Sequence, residues 1–152
     1  MISPESVASA FRANCERLPH GTADLLTSNS GNDIRLIPRN RESAPVTLHI
    51  DGDMVYIGFG RGLIAEVRIS TAPPFRKEMG IIELILEAAV EGLITETVWE
   101  QDGKLVSSKG EFMIGGKKHR FWFNLLGRLF RRAQRKTYTY APYSSGKGEH
   151  HR

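Results

Sequence analysis

The chain has a single cysteine among 152 residues, so no disulfide can form within it, and cysteine-based zinc sites and small disulfide scaffolds are excluded. No apolar run approaches the roughly 20 residues that span a bilayer. The opening, MISPESVASAF, lacks the basic region and apolar stretch of a signal peptide. Together these absences predict a cytoplasmic, reducing setting. No internal repeat of solenoid length is present. No Walker-type lysine and serine follow the glycines of the chain, and no histidine stands at helical spacing from its acidic ladder. No cofactor or metal is therefore expected. A chain of this length can bury roughly two-thirds of its unfolded surface as one domain.

What is present is an uneven charge. The formal net charge is +4, yet residues 1–111 carry 11 basic and 16 acidic side chains, while residues 112–152 carry 10 basic and one acidic. A body of net −5 is thus joined to a C-terminal quarter of net +9. Charge segregated in this way points to a segment that meets an anionic surface.

Hydrophobic periodicity organises the rest. Ser3 and Pro4 are an N-cap and a first helical residue, and Val7, Phe11, Cys15 and Leu18 recur at helical spacing, so a helix opens the chain and ends at Pro19. Residues 20–33 are polar and without period, and read as a loop before a short strand from Ile34 to Ile37. From Val46 the period becomes two. Strands are expected over 46–50, 54–59 and from Leu63 to about Ile69, with the Asp51, Gly52, Asp53 cluster as a hairpin turn. Pro73 and Pro74 introduce a second helix, about 76–93, whose Ile81, Ile82, Ile85, Leu86, Ala88 and Ala89 share one face and whose Glu83, Glu87 and Glu91 line the other. A hairpin over 94–101 and 104–114 turns at Asp102 and Gly103 and closes at Gly115 and Gly116.

The last element reads as a basic amphipathic helix over about 119–136. On a helical wheel Trp122, Phe123, Leu125, Leu126, Leu129 and Phe130 gather on one side, and Arg120, Arg128, Arg131, Arg132 and Arg135 on the other; Phe121 is the one misplaced aromatic. The expected fold is therefore a single α+β domain over 1–137, with an antiparallel sheet of about five or six strands and helices packed on one face. Its order is helix, three or four strands, helix, two strands, helix, followed by a flexible tail over 138–152. At topology level this order resembles small bacterial secretion-chaperone-like and immunity-protein-like α+β domains, with no motif that would carry over individual residues.

Catalytic signals are weak beside their structural alternatives. Gly58, Gly60 and Gly62 are followed by a strand rather than a helix, and so form a turn or bulge, not a phosphate cradle. Asp51 and Asp53 lack the further oxygen ligands a divalent cation needs. Cys15 lies on an apolar stripe, His49 faces outward from a strand, and His20 sits in a loop, so no nucleophile and base are paired. His150 and His151 fall in the expected tail. A small hydrolase or isomerase using His49 or the glutamate ladder is the weakest reading.

The leading expectation is a non-enzymatic protein-binding or accessory module of chaperone-like or immunity-like type, with a protein as partner and self-association left open. The alternative is binding to nucleic acid or to an anionic membrane surface through the basic helix. Either way the anionic partner is expected to meet Lys117, Lys118, Arg120, Arg128, Arg131, Arg132, Arg135 and Lys136. Trp122, Tyr138 and Tyr140 would stack or insert beside them.

Overall fold

A computed structural model of the chain describes residues 3–68, 75–123 and 133–146. Helix α1, Pro4–Glu16, starts where Ser3 caps it: the Ser3 hydroxyl accepts the Ser6 N–H at 3.2 Å, and the Ser6 hydroxyl accepts the Ser3 N–H at 3.1 Å. This reciprocal capping satisfies two backbone donors that the first helical turn leaves free. Its apolar stripe, Val7, Phe11 and Cys15, is buried.

Five strands follow as an antiparallel meander, sheet A: β1, Ala23–Thr27; β2, Asp33–Pro38; β3, Val46–Asp51; β4, Met54–Phe59; and β5, Leu63–Arg68. In β3 and β5 burial alternates residue by residue, so Val46, Leu48, Ile50, Leu63, Ala65 and Val67 all face inward. Helix α2, Phe75–Val90, turns Ile82, Ile85, Leu86, Ala88 and Ala89 into the core and leaves Glu83 and Glu87 in solvent. Sheet B then forms from β6, Thr95–Gln101; β7, Lys104–Ile114; β8, Lys117–Phe123; and β9, Gln134–Thr139, in the order β8-β7-β6-β9. Residues from both sheets and both helices share one hydrophobic cluster. No helix among the described residues is long and apolar enough to cross a membrane.

The architecture corrects the expected helix-covered α+β sheet of five or six strands. The described residues hold nine strands in two antiparallel sheets and two α-helices, so the protein is mostly β. Strand β1 was read as loop because, at the rim of sheet A, only Ala23 and Leu25 are half-covered and the apolar Leu26 faces solvent, so the sequence shows no apolar-polar alternation there. The expected third helix is overturned more sharply. Residues 117–123 form β8 and residues 134–139 form β9; residues 124–132 lie outside the described residues.

The reason lies at Gly115 and Gly116. Both adopt positive φ, 59° and 76°, the backbone of a two-residue hairpin turn, so the chain after them returns as a strand rather than starting a helix. Alternation also explains the aromatic that did not fit the wheel. Phe121 turns inward and packs edge-on to Phe59 at 5.4 Å and stacked on Phe112 at 5.6 Å, while Lys118 and Arg120 face outward.

The start of the expected flexible tail is also ordered. Tyr138 and Thr139 belong to β9, and residues 141–143 form a strap that ties sheet B to the loop before β3. The Ala141 N–H donates to the Glu42 carbonyl at 2.9 Å, the Ser43 hydroxyl to the Pro142 carbonyl at 3.2 Å, and the buried Tyr143 hydroxyl to the Ala44 carbonyl at 2.7 Å. The strap crosses so close to Gly92, at φ 68°, that any side chain there would collide with the backbone of Ala141 and Pro142. Replacing Tyr143 with Phe leaves the Ala44 carbonyl unpaired and should cost about 1 kcal/mol, whereas Tyr143→Ala, which also opens a cavity, should cost about 3–5 kcal/mol. Urea unfolding of the two variants, read as a shift of midpoint at unchanged slope, checks both values.

Candidate functional site

The turn between β4 and β5, Gly60-Arg61-Gly62, is seated on the inner face of sheet B. Beneath it lies Glu96 of β6, a fully buried carboxylate. The Arg61 backbone N–H donates to both of its oxygens, at 3.1 Å to Oε1 and 3.0 Å to Oε2, and the Tyr140 hydroxyl donates to Oε2 at 3.3 Å. A side chain at Gly60, where φ is 67°, would overlap the Glu96 carboxylate. On the other flank the Ser108 hydroxyl donates to the Gly62 carbonyl at 2.9 Å, and Leu63 packs directly against Gly110. The glycines of GFGRG thus serve a turn, as expected, and also let that turn approach the second sheet.

Burial pushes the Glu96 carboxyl above the usual carboxylate range, while the bonds from the Arg61 backbone, the Tyr140 hydroxyl and the Gly62 backbone, and the Arg61 charge, pull it back. The Tyr140 phenol is pushed up, first by burial and then by the neighbouring Glu96, and so stays a hydrogen-bond donor.

Because the backbone of Arg61 is clamped, its side chain leaves the turn in a set direction. The guanidinium lies over the Tyr138 ring, 3.9 Å from its centroid. Together with Arg41, Glu42 and the consecutive residues from Tyr138 to Ala141, it lines an open cleft of about 480 Å³. That volume is within the range of ligand-binding clefts. The planar, stacked guanidinium and a second arginine suit a carboxylate or phosphate, which arginine can grip with two parallel hydrogen bonds.

The described residues among those expected to meet an anionic partner are divided between two strands. Strands β8 and β9 sit on opposite sides of sheet B with β7 and β6 between them, about 14 Å apart at the usual strand spacing. On β8, Lys117 is exposed, but Lys118 and Arg120 are engaged by Glu111 at 3.2 and 3.3 Å, beside Lys109 at 2.6 Å. The bond from Lys109 is the main reason Glu111 is held below the usual carboxylate range. On β9, Arg135 is exposed, and Lys136 pairs with Glu100 at 3.1 Å, which raises the pKa of the lysine. Arg128, Arg131 and Arg132 lie outside the described residues. Trp122 stacks on Trp99 with a 6.4 Å centroid separation and has Lys109 over its ring. Tyr138 and Tyr140 are brought together at the cleft, Tyr138 beneath a cation and Tyr140 bonded to a buried acid.

Arg41, Arg61 and Glu96 were not singled out by sequence. The one signal was the placement of Arg61 between two turn glycines, which projects a lone cation from the tip of a hairpin. Elsewhere, Cys15 is buried, with its thiol pushed up to about 12 chiefly by burial, while His49 is paired with Asp33 at 2.6 Å on the solvent face of sheet A. The sheet separates the two residues, and they form no dyad. Among the described residues no group of three or more His, Cys, Asp or Glu side chains is placed to hold a metal ion.

Comparison with protein-family models, curated proteins and solved structures returned no match.

Glu96→Ala should cost about 1–3 kcal/mol by leaving the Arg61 N–H and the Tyr140 hydroxyl without their acceptor. The pH dependence follows from the raised carboxyl. A group with a folded pKa above its unfolded value of 4.5 favours folding fully below that value, and this contribution is lost as pH rises through the folded value. The stability of the wild type relative to Glu96→Gln should therefore be greatest in acid and decline as pH increases, measured by urea unfolding of both proteins across that window.

Proposed function

We propose that this protein is a non-enzymatic protein-binding module that takes an acidic segment of a partner in the cleft between Arg41, Arg61, Tyr138 and Tyr140. The observation that carries the reading is the Arg61 guanidinium laid over Tyr138 on a turn whose backbone is clamped by Glu96. An arginine fixed before its ligand arrives loses less side-chain entropy on binding. Arginine and tyrosine are also the residue types that most often dominate binding energy at protein interfaces.

Two features favour a protein over nucleic acid or a membrane. Among the described residues the C-terminal cations are divided between β8 and β9, and Lys118 and Arg120 of β8 share Glu111, so these offer no continuous stripe to a phosphate backbone. Trp122 is stacked on Trp99 and covered by Lys109, an arrangement unlike that of a free insertion residue.

The test is fluorescence anisotropy with a short labelled peptide of alternating Glu and Val, its Lys counterpart, a single-stranded oligonucleotide and anionic vesicles. The acidic peptide alone should bind, more weakly as salt rises. Arg41→Ala and Arg61→Ala should each weaken binding roughly tenfold or more, since hydrogen bonds to charged groups are worth about 1.5–3 kcal/mol. Neither change removes a hydrogen bond of the Glu96 clamp, to which Arg61 contributes its backbone N–H. Binding of the oligonucleotide or vesicles with none of the acidic peptide would reject the proposal.

A further inference from the structure

Resting on that reading, we infer how the partner segment is held: it binds as an extended strand added to the free edge of β9, with alternate acidic side chains directed to Arg61 and Arg41.

The cleft is lined by four consecutive residues, Tyr138 and Thr139 at the end of β9 and Tyr140 and Ala141 just beyond it, where the Ala141 N–H is taken by the Glu42 carbonyl. A cleft on the face of a strand touches every second residue, because successive side chains point to opposite faces; contact with consecutive residues places it along the strand's edge. Strand β9 is the last strand of sheet B. It pairs with β6 in unbroken register from Gln134 to Thr139, and among the described residues no strand pairs with its other side. All of β9 except Tyr138 is exposed. Its six residues span about 20 Å, the length of an ordinary strand, and an unpaired edge offers alternate N–H and C=O groups to an incoming backbone.

The edge carries none of the devices that would stop pairing altogether. It has no proline and no bulge against β6; the irregularity of sheet B lies between β6 and β7 at Trp99 and Glu100. What it does carry is charge. Arg135 and Lys136 lie on β9, and Arg61 and Arg41 flank its end. Glu42 on the rim and Glu100 beside Lys136 offset part of this, which leaves Arg61 and Arg41, on the Tyr138 side, as the cations that select the partner, with Arg135 on the other face. A cationic edge repels a second copy of itself and accepts an acidic strand, so the charge that guards against self-association also selects the ligand. Strand addition supplies affinity through main-chain hydrogen bonds and specificity through alternate side chains. The side chains facing the Arg61 side are therefore acidic, and those facing Arg135, Thr137 and Thr139 are small or β-branched.

The experiment uses the full chain and the alternating Glu and Val peptide in three forms: unmodified, and N-methylated on every second residue in each of the two frames. N-methylation removes backbone donors and leaves charge unchanged. One frame, which loses the donors that face β9, should bind at least tenfold more weakly; the other should keep its affinity. Amide hydrogen exchange across Gln134–Thr139 should slow on binding of the unmodified peptide. Equal affinity for all three peptides, with no slowing in β9, overturns strand addition while leaving an acidic ligand in the cleft. Failure of the unmodified peptide to bind at all removes the ligand reading and this inference with it. Binding of the oligonucleotide in place of the peptide does the same.

Discussion

A buried carboxylate holds the two sheets of this protein in register. Glu96 has no solvent of its own, so its oxygens must be satisfied by the chain, and the donors come from the β4–β5 turn of the other sheet and from Tyr140 beyond β9. Burial of an acid is expensive and is tolerated only where the hydrogen bonds are well made. That demand explains why glycine stands at 60, where the backbone must pass over the carboxylate. The Ser108 bond and the seat of Leu63 on Gly110 extend the same docking along the turn. The contact of Phe59 with Phe121, which stacks in turn on Phe112, continues it into the core.

One residue consequently answers to two constraints that do not interfere. The main chain of Arg61 belongs to the fold, and its side chain belongs to the cleft. The rigidity that the first requires fixes the geometry of the second, which is how a surface arginine, ordinarily among the most mobile side chains, comes to lie in one place over Tyr138. The nearby tyrosines divide in the same manner. Tyr140 points to the buried acid, while Tyr138 supports the cation.

Much of the local structure was legible in the chain. Periods of two identified β3, β4 and β5, the turn at Asp102 and Gly103 identified β6 and β7, and a period near 3.6 identified α1 and the buried face of α2, because the periodic elements are buried on one side and solvated on the other. Where burial is shallow and an apolar residue faces solvent the pattern fails, as at Leu26 in β1. The expectation of a helix over about 119–136, overturned at β8 and β9, had a different cause: a run of arginines and aromatics satisfies a helical wheel almost by composition, and the Gly115-Gly116 pair was taken as an end when it is a return. The cleft was beyond reach for a further reason. Arg61 and Glu96 are separated by 35 residues and Tyr140 lies 44 beyond Glu96, and no periodic signal couples them. Likewise, that Glu111 would absorb Lys118 and Arg120 follows only from the register between β7 and β8.

The strap from Ala141 to Tyr143 gives the fold an order in time. Its hydrogen bond from Tyr143 reaches back 99 residues to Ala44, and β9 reaches back across the hairpin to β6. Contacts so distant along the chain are entropically slow to close. During synthesis sheet A, α2 and the β6–β7 hairpin can all be made while the Ala44 carbonyl still lacks its donor and β6 still has an open side. The cleft is assembled from both ends of that interval, Arg41 and Arg61 early and Tyr138 and Tyr140 late. The cleft is thus completed only once β9 and the strap are in place, and a nascent chain with a formed first sheet lacks it.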